Sequence, residues 1–352
     1  MTNIIPQSSQ DRIFKGSLIT LTFMIFGMVI IGGLTRLSGS GLSIVEWKPI
    51  VGIFPPLTHA DWLFEFSKYQ QSPEFQKINF GMTLDDFKSI FWLEYIHRLW
   101  GRILGIILLI PTFLMIYKKQ YRDLWLFLAF LWLLGMTQGI MGWYMVKSGL
   151  VNDPHVSPYR LAAHLCLGFA LFGIALWMTL SLYKNHFRPD RKGFSHNAFQ
   201  MLTKLSFAAV FLVLLTAFFG ALVAGHKAGL VYNTFPLMGD NLIPHEFLSS
   251  TPWWNDFLEN PVSVQFLHRL LAVTTAGLCL GIWIYQRKLE IPQRLAFVYA
   301  GLALIVLVQF SFGVLTLLFM VPVALGVLHQ GFAFILFGSL LFAFFLLQSV
   351  KQ

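Results

Sequence analysis

Residues 94–117 open Glu94-Tyr95-Ile96-His97-Arg98-Leu99 and run on to Tyr117, with charge at Glu94, Arg98 and Arg102 and none from Ile103 onward. A membrane crossing takes roughly 20 mainly apolar residues. Inside lipid every amide must bond within its own segment, so the stretch reads as a helix whose polar end lies at one face of a bilayer. The pattern returns later in the chain as Gln265-Phe266-Leu267-His268-Arg269-Leu270, followed by another apolar run. Working outward from these two stretches gives eight spans, at about 16–36, 94–117, 122–146, 160–183, 203–225, 263–285, 295–319 and 326–348.

Composition agrees. The 352 residues are 56% hydrophobic and only 12% charged, and the mean hydropathy is +0.67, too little charge to wet the surface of a soluble domain of this size. The net charge of +9 does not point to nucleic acid, because the bases sit in short loops between apolar runs. The N-terminus and the loops after spans 2, 4 and 6 carry Arg12, Lys15, Lys118, Lys119, Arg122, Lys184, Arg188, Arg191, Lys192, Lys204, Arg287, Lys288 and Arg294, and Lys351 ends the chain. The two long loops, 37–93 and 226–262, dilute their bases with Asp61, Glu65, Asp85, Asp240 and Asp256. The positive-inside rule therefore puts both termini in the cytoplasm. The run from Gly16 to Leu34 is long for a signal peptide and reads as a retained first span. The first dozen residues lack the character of a transit peptide, which favours a bacterial inner membrane. Cys166 and Cys279 both fall in apolar segments and suit buried, inert thiols rather than a disulfide framework.

The two halves are related. At one constant offset His97-Arg98 matches His268-Arg269, Gln138 matches Gln309 and Gly142 matches Gly313. His164 and His329 open spans 4 and 8, each followed by a glycine at the same distance, Gly173 and Gly338. The fold expected is an all-α integral membrane protein of eight transmembrane helices, arranged as two tandem pseudo-symmetric four-helix bundles, residues 1–190 and 191–352, divided in the stretch 184–202.

Ten histidines occur, and only His97, His164, His268 and His329 lie within spans. A lone histidine in a membrane most simply bridges two helices. Four in matched pairs, each near the outer start of a span running the same way, sit at similar depth. Helices 2 and 4 of an up-down bundle lie diagonally across its centre, so each pair can ligate one iron from both sides. A bare zinc or copper ion would call for further nitrogen, sulfur or carboxylate ligands, whereas a bis-His pair without a cysteine cluster suits haem. Arg98, Arg160 and Arg269 lie beside the histidines and could bond haem propionates or snorkel to lipid headgroups. Small residues near the sites (Gly101, Gly105, Gly142, Gly168, Gly313) admit a flat macrocycle but equally serve tight helix packing.

The repeat breaks at one telling place. Three residues before the histidine, the first half has Glu94 and the second Gln265. Residues three apart share a helix face, and a carboxylate at the edge of lipid is costly unless it works. Glu94 can take a proton or stabilise positive charge and Gln265 cannot, so the first half is the candidate catalytic half. The plainer reading is that Glu94 pairs with Arg98, one turn on.

These motifs resemble the haem A synthase family over nearly the whole chain. The resemblance rests on Glu94-Tyr95-Ile96-His97-Arg98, the histidines of spans 4, 6 and 8, and the first outer segment, Gly32-Gly33-Leu34-Thr35-Arg36 through Ser38-Gly39-Ser40-Gly41-Leu42. It implies oxidation of a porphyrin methyl of haem O to a formyl group, through the alcohol, to give haem A for cytochrome oxidase. It implies His97 and His164 on the substrate haem with Glu94 beside it, and His268 and His329 on a resident haem b cofactor. Some members carry a cysteine pair in an outer loop. This chain has none there, so it looks like the proteobacterial and mitochondrial branch. Candidate partners are haem O synthase, cytochrome oxidase assembly factors and a second copy of the chain. The alternative is a bis-His dihaem electron carrier of the cytochrome b561 or quinol oxidoreductase type. A transporter is disfavoured, because the polar residues cluster at the outer ends of the spans instead of the midplane.

Overall fold

The computed structural model describes residues 9–47, 51–151, 154–187 and 195–349. Arg188, Arg191, Lys192 and Lys351, and the expected boundary between residues 190 and 191, lie outside the described residues. In chain order the helices are α1 (Ser9–Leu37), α2 (His59–Gln70), α3 (Pro73–Lys77), α4 (Leu84–Tyr117), α5 (Trp125–Gly149), α6 (Pro158–Leu182), α7 (Lys184–Phe187), α8 (His196–Gly225), α9 (Pro261–Gln286), α10 (Gln293–Leu318) and α11 (Val323–Ser349). Eight of these, α1, α4, α5, α6, α8, α9, α10 and α11, are long and apolar enough to cross a membrane. The chain is an all-helical, multi-pass membrane protein.

The span boundaries follow the apolar runs, with informative exceptions. Helix α4 begins at Leu84, well before the start of its apolar run at residue 94. Thr83 and Asp86 form a capping box there, the Thr83 hydroxyl accepting from Asp86 N at 3.3 Å and the Asp86 carboxylate accepting from Thr83 N at 3.1 Å. Asp85 and Asp86 also complement the positive helix end. At 1.5 Å per residue its 34 residues make a rod of about 50 Å, longer than the roughly 30 Å hydrocarbon layer. The first turns therefore stand outside it, and Glu94 and His97 lie at its edge. Helix α8 starts at His196 rather than 203, where the Ser195 hydroxyl accepts from Ala198 N at 3.2 Å.

The protruding end of α4 carries the first outer segment. Helices α2 and α3 pack on it through an aromatic cluster of Tyr69, Phe75, Phe87, Phe91 and Tyr95, with Trp62 edge-on to Phe91 at 5.0 Å. Tyr95 donates to the Ile53 carbonyl at 2.6 Å.

Within the bundle, α1 packs on α4 and α6 as α8 packs on α9 and α11, while α5 bridges α4 and α6 as α10 bridges α9 and α11. The two groups of four meet through α1 against α11, α6 against α8 and α6 against α11. The α6–α11 seam is reciprocal. A Cβ at Gly173 would lie 3.2 Å from the Phe337 ring and one at Gly338 3.1 Å from the Phe172 ring, so each glycine admits the other helix's phenyl. Phe169 and Phe334 stack beside them at 3.8 Å. In lipid, small residues of this kind are what let helices approach closely enough for dispersion to hold them.

Candidate functional site

Each span histidine sits against a glycine of the helix before it in its own half. A Cβ at Gly32 of α1 would lie 3.2 Å from His97 Nε2, and one at Gly220 of α8 would lie 3.0 Å from His268 Cε1. A Cβ at Gly142 of α5 would lie 3.4 Å from His164 Cε1, and one at Gly313 of α10 2.8 Å from His329 Cε1. At Gly32, Gly220 and Gly313 an added methyl would press on the imidazole, whereas at Gly142 it would make an ordinary contact.

The second-half pair is closely defined. The His268 and His329 rings lie 6.4 Å apart, centroid to centroid, and perpendicular. Metal–nitrogen bonds of about 2 Å on each side, with the ring radii added, give a centroid separation of about 6 Å for one ion held between two imidazoles. Each Nδ1 faces a backbone carbonyl, His268 toward Thr216 O at 3.0 Å and His329 toward Gln309 O at 3.2 Å. A carbonyl accepts only, so each Nδ1 carries the proton and each Nε2 presents a lone pair. Among the described residues no three His, Cys, Asp or Glu side chains converge as a bare-ion site. Two imidazoles at this spacing fit haem iron, whose ring supplies the remaining ligands.

The first-half pair is held differently. Among the described residues no ring contact joins His97 to His164. Gln138 Nε2 lies 3.3 Å from His164 Nε2 and donates to the His164 carbonyl at 3.1 Å. His164 Nδ1 and Gln138 Oε1 are buried without a hydrogen-bond partner.

Glu94 is buried in α4, and every bond it makes is one it accepts. Oε2 accepts from Ser43 Oγ at 2.7 Å and Ile44 N at 2.8 Å, while Oε1 accepts from Arg98 Nε at 3.0 Å and Nη2 at 2.5 Å. Arg98 donates onward to the carbonyls of Ile44 at 2.9 Å and Glu46 at 3.1 Å. The Ser-Gly turn before this loop needs Gly39, whose φ of +69° lies in the left-handed region. In the second half Arg269 donates to the carbonyls of Tyr232 and Thr234, each at 2.8 Å, and of Leu237 at 3.3 Å, and Gln265 Nε2 donates to Tyr232 O at 3.0 Å. Both arginines thus clamp the outer loop that follows the first helix of their half. The Glu94/Gln265 difference also matches the polarity of that loop, which offers an N–H and a hydroxyl to Glu94 but a carbonyl to Gln265. Arg160 lies over the Tyr144 ring at 3.7 Å and donates to Tyr144 Oη at 2.9 Å, in a cleft of about 510 Å³ that it lines with His155, His226 and Lys227.

Beside this site the outer segment holds a second buried carboxyl, which the sequence reading passed over. Glu74 of α3 accepts from Tyr69 Oη at 3.0 Å, and Asn79 donates to that same hydroxyl at 2.7 Å. Burial pushes the Glu74 carboxyl up to about 7, against the lowering effect of the Tyr69 bond and with a further raising contribution from the charge of Glu94. The part that Thr216 and Gln309 play as ring partners was also beyond the sequence, since they act through backbone carbonyls that any residue type could supply.

Fold and site together define a polytopic helical membrane protein with paired, inward-facing histidines near one membrane face. The family model of the cytochrome oxidase assembly protein COX15-CtaA matches residues 16–341, and the chain belongs to that family. It is 42% identical over 346 residues to a protein named heme A synthase from Nitrosospira multiformis, covering 97% of this chain and 96% of that one. It is 44% identical over 326 residues to heme A synthase of Rhodospirillum centenum, covering 92% and 86%. It is 43% identical over 325 residues to Arabidopsis thaliana heme A synthase COX15, covering 90% and 70%.

Proposed function

We propose that this chain is a haem A synthase, oxidising a methyl group of haem O to a formyl group for cytochrome oxidase, with a resident haem b in its second half. The observation that carries the reading is the His268–His329 pair, 6.4 Å apart and perpendicular, with both Nδ1 atoms anchored on carbonyls. Relatives bearing that name match nearly the whole chain.

The halves, two tandem bundles, divide the labour. His268 and His329 hold haem b, which supplies electron transfer toward the first half. His97 and His164 bind haem O and set its ring between α4 and α6. Glu94 faces the same side of α4 as His97, where its carboxylate stabilises positive charge on the reacting porphyrin edge and accepts a proton. Arg98 holds that carboxylate in place. Arg269 keeps its Nε buried without a partner, a donor suited to a propionate, and Arg98 and Arg160 are the first-half candidates for the same contact. The outer segment over Glu94 excludes water, and haem O's apolar tail lies between helices. The positive loops support an orientation with both termini in the cytoplasm, in a bacterial inner membrane. Haem O synthase, oxidase assembly factors and a second copy of the chain are the partners to test.

The test is pigment analysis. The chain is expressed in a host that makes haem O but no haem A, purified in detergent and extracted. Haem A or its alcohol precursor should appear together with haem b. Both oxidised products should vanish in Glu94→Gln with haem b retained, while His268→Ala preparations should lose haem b and, with its electron transfer, the oxidised products. Two haem b per chain, no oxidised haem and no effect of Glu94→Gln would instead mark a dihaem electron carrier.

A further inference from the structure

Four histidines occupy equivalent places, yet one is bonded unlike the two that can be compared with it most closely. His268 and His329 each spend Nδ1 on a backbone carbonyl and leave Nε2 with an available lone pair. His164 does the reverse. Its Nε2 lies 3.3 Å from Gln138 Nε2, and its Nδ1 is buried without a partner. The amide's orientation is fixed by its second bond, since Gln138 Nε2 also meets the His164 carbonyl at 3.1 Å and must be the donor there. Gln138 therefore donates to the very lone pair that an iron ligand would use.

The counterpart of Gln138 in the other half is Gln309, and there the roles separate. The Gln309 backbone carbonyl takes the His329 Nδ1 proton, and its side-chain Oε1 is buried without a partner. The same residue type at the same helix position thus supports a ligating histidine in one half and competes for it in the other.

We propose that Gln138 is a positioning residue that makes His164 the exchangeable axial ligand of the first half. The inference rests on the reading of His97 and His164 as a haem site and adds what distinguishes it from the second. One lone pair cannot serve the amide and iron together. Ligation at His164 requires Gln138 to let go, and the His164 Nδ1 proton then takes the Gln138 backbone carbonyl, as His329 takes that of Gln309. Return of Gln138 draws His164 off the metal and opens the coordination position opposite His97. A site that must admit a substrate, expose its iron and release a product needs one weak ligand. A resident electron carrier needs none.

The test uses the full-length chain in detergent, carrying its resident haem b, with ferric haem b (hemin) as the titrating probe. The signal is the part of the absorbance change that His164→Ala abolishes. A neutral hydrogen bond is worth about 0.5–1.5 kcal/mol net, so Gln138→Met, which keeps length but cannot donate, should bind hemin about 2- to 10-fold more tightly. After reduction, wild type should take carbon monoxide at the first site and the Gln138→Met chain markedly less. Equal or weaker hemin binding by Gln138→Met overturns the proposal. So does a reduced wild-type first site that takes no carbon monoxide, a measurement that needs no variant to fold. If wild type shows no His164-dependent uptake at all, the haem-site reading itself fails, and this inference with it.

Discussion

Arg98 grips Glu94 from two nitrogens, Nε at 3.0 Å and Nη2 at 2.5 Å, and with the same guanidinium holds the carbonyls of Ile44 and Glu46. The ion pair is nearly dry, with Glu94 buried and Arg98 largely so. Removing one member of such a pair strands the other. Arg98→Ala should therefore cost about 3–5 kcal/mol, read as a large fall in the detergent thermal midpoint together with faster proteolysis within residues 38–47. Glu94→Gln keeps an acceptor for Ser43 and leaves no stranded anion, so it should destabilise much less while abolishing haem oxidation. Comparable stability losses in both variants would make Glu94 chiefly a structural clamp.

The glycine contacts rank a second set of outcomes. A methyl group added at Gly313 would sit 2.8 Å from His329 Cε1, where something must move, and at Gly220 3.0 Å from His268 Cε1, where the ring must give by a few tenths of an ångström. At Gly142 the distance to His164 Cε1 is 3.4 Å, an ordinary contact. Gly313→Ala and Gly220→Ala should cut the haem b retained per chain severely, while Gly142→Ala should leave it unchanged. Pyridine haemochrome stoichiometry on purified protein reads this directly. Full haem b in Gly313→Ala would mean that the ring has slack the geometry does not show.

The α6–α11 seam makes a third case. Gly173 and Gly338 admit Phe337 and Phe172 reciprocally. Gly173→Leu would drive a branched side chain into the Phe337 ring and force the two helices apart, at a cost of about 1–3 kcal/mol for overpacking. Phe337→Ala in the same chain should recover part of that loss by clearing the space. A double-mutant cycle on the thermal midpoint checks it, and strict additivity of the two changes would remove the seam from the account.

How far these features could be read beforehand depends on which atoms create them. The eight helices were legible because lipid enforces long apolar runs, and the four span histidines because polar residues are rare within such runs. The matched Gln138 and Gln309 were visible as a pair, but their opposite roles were not. One acts through an amide and the other through a backbone carbonyl, and side-chain identity says nothing of that choice. The start of α4 at Leu84 was written in Thr83 and Asp86, yet apolar counting passes over it because that part of the helix lies outside the hydrocarbon. The Glu94/Gln265 difference was legible as a break in the repeat. Its fit to the polarity of two outer loops emerged only with Ser43, Ile44 and Tyr232 in place.

Glu74 supplies a pH dependence whose sign can be worked out. Its carboxyl is pushed up to about 7 from an ordinary 4.5, first by burial and further by the charge of Glu94, against the Tyr69 hydrogen bond. A raised carboxyl favours folding in its protonated form. Its stabilising share is therefore complete below about 4.5 and is lost as pH rises through about 7. Above that the outer segment carries a buried anion with a single hydroxyl donor, Tyr69 Oη. Glu74→Gln keeps an acceptor for that hydroxyl and cannot ionise. Relative to wild type, the variant should gain stability as pH rises from about 4.5 to about 7, with the difference flat above that window. Limited proteolysis of residues 51–93 across that range gives the comparison, with all other titrating groups common to both chains. Identical pH profiles for the two proteins would show that Glu74 finds a second donor or water when it ionises, and that the outer segment feels no charge there.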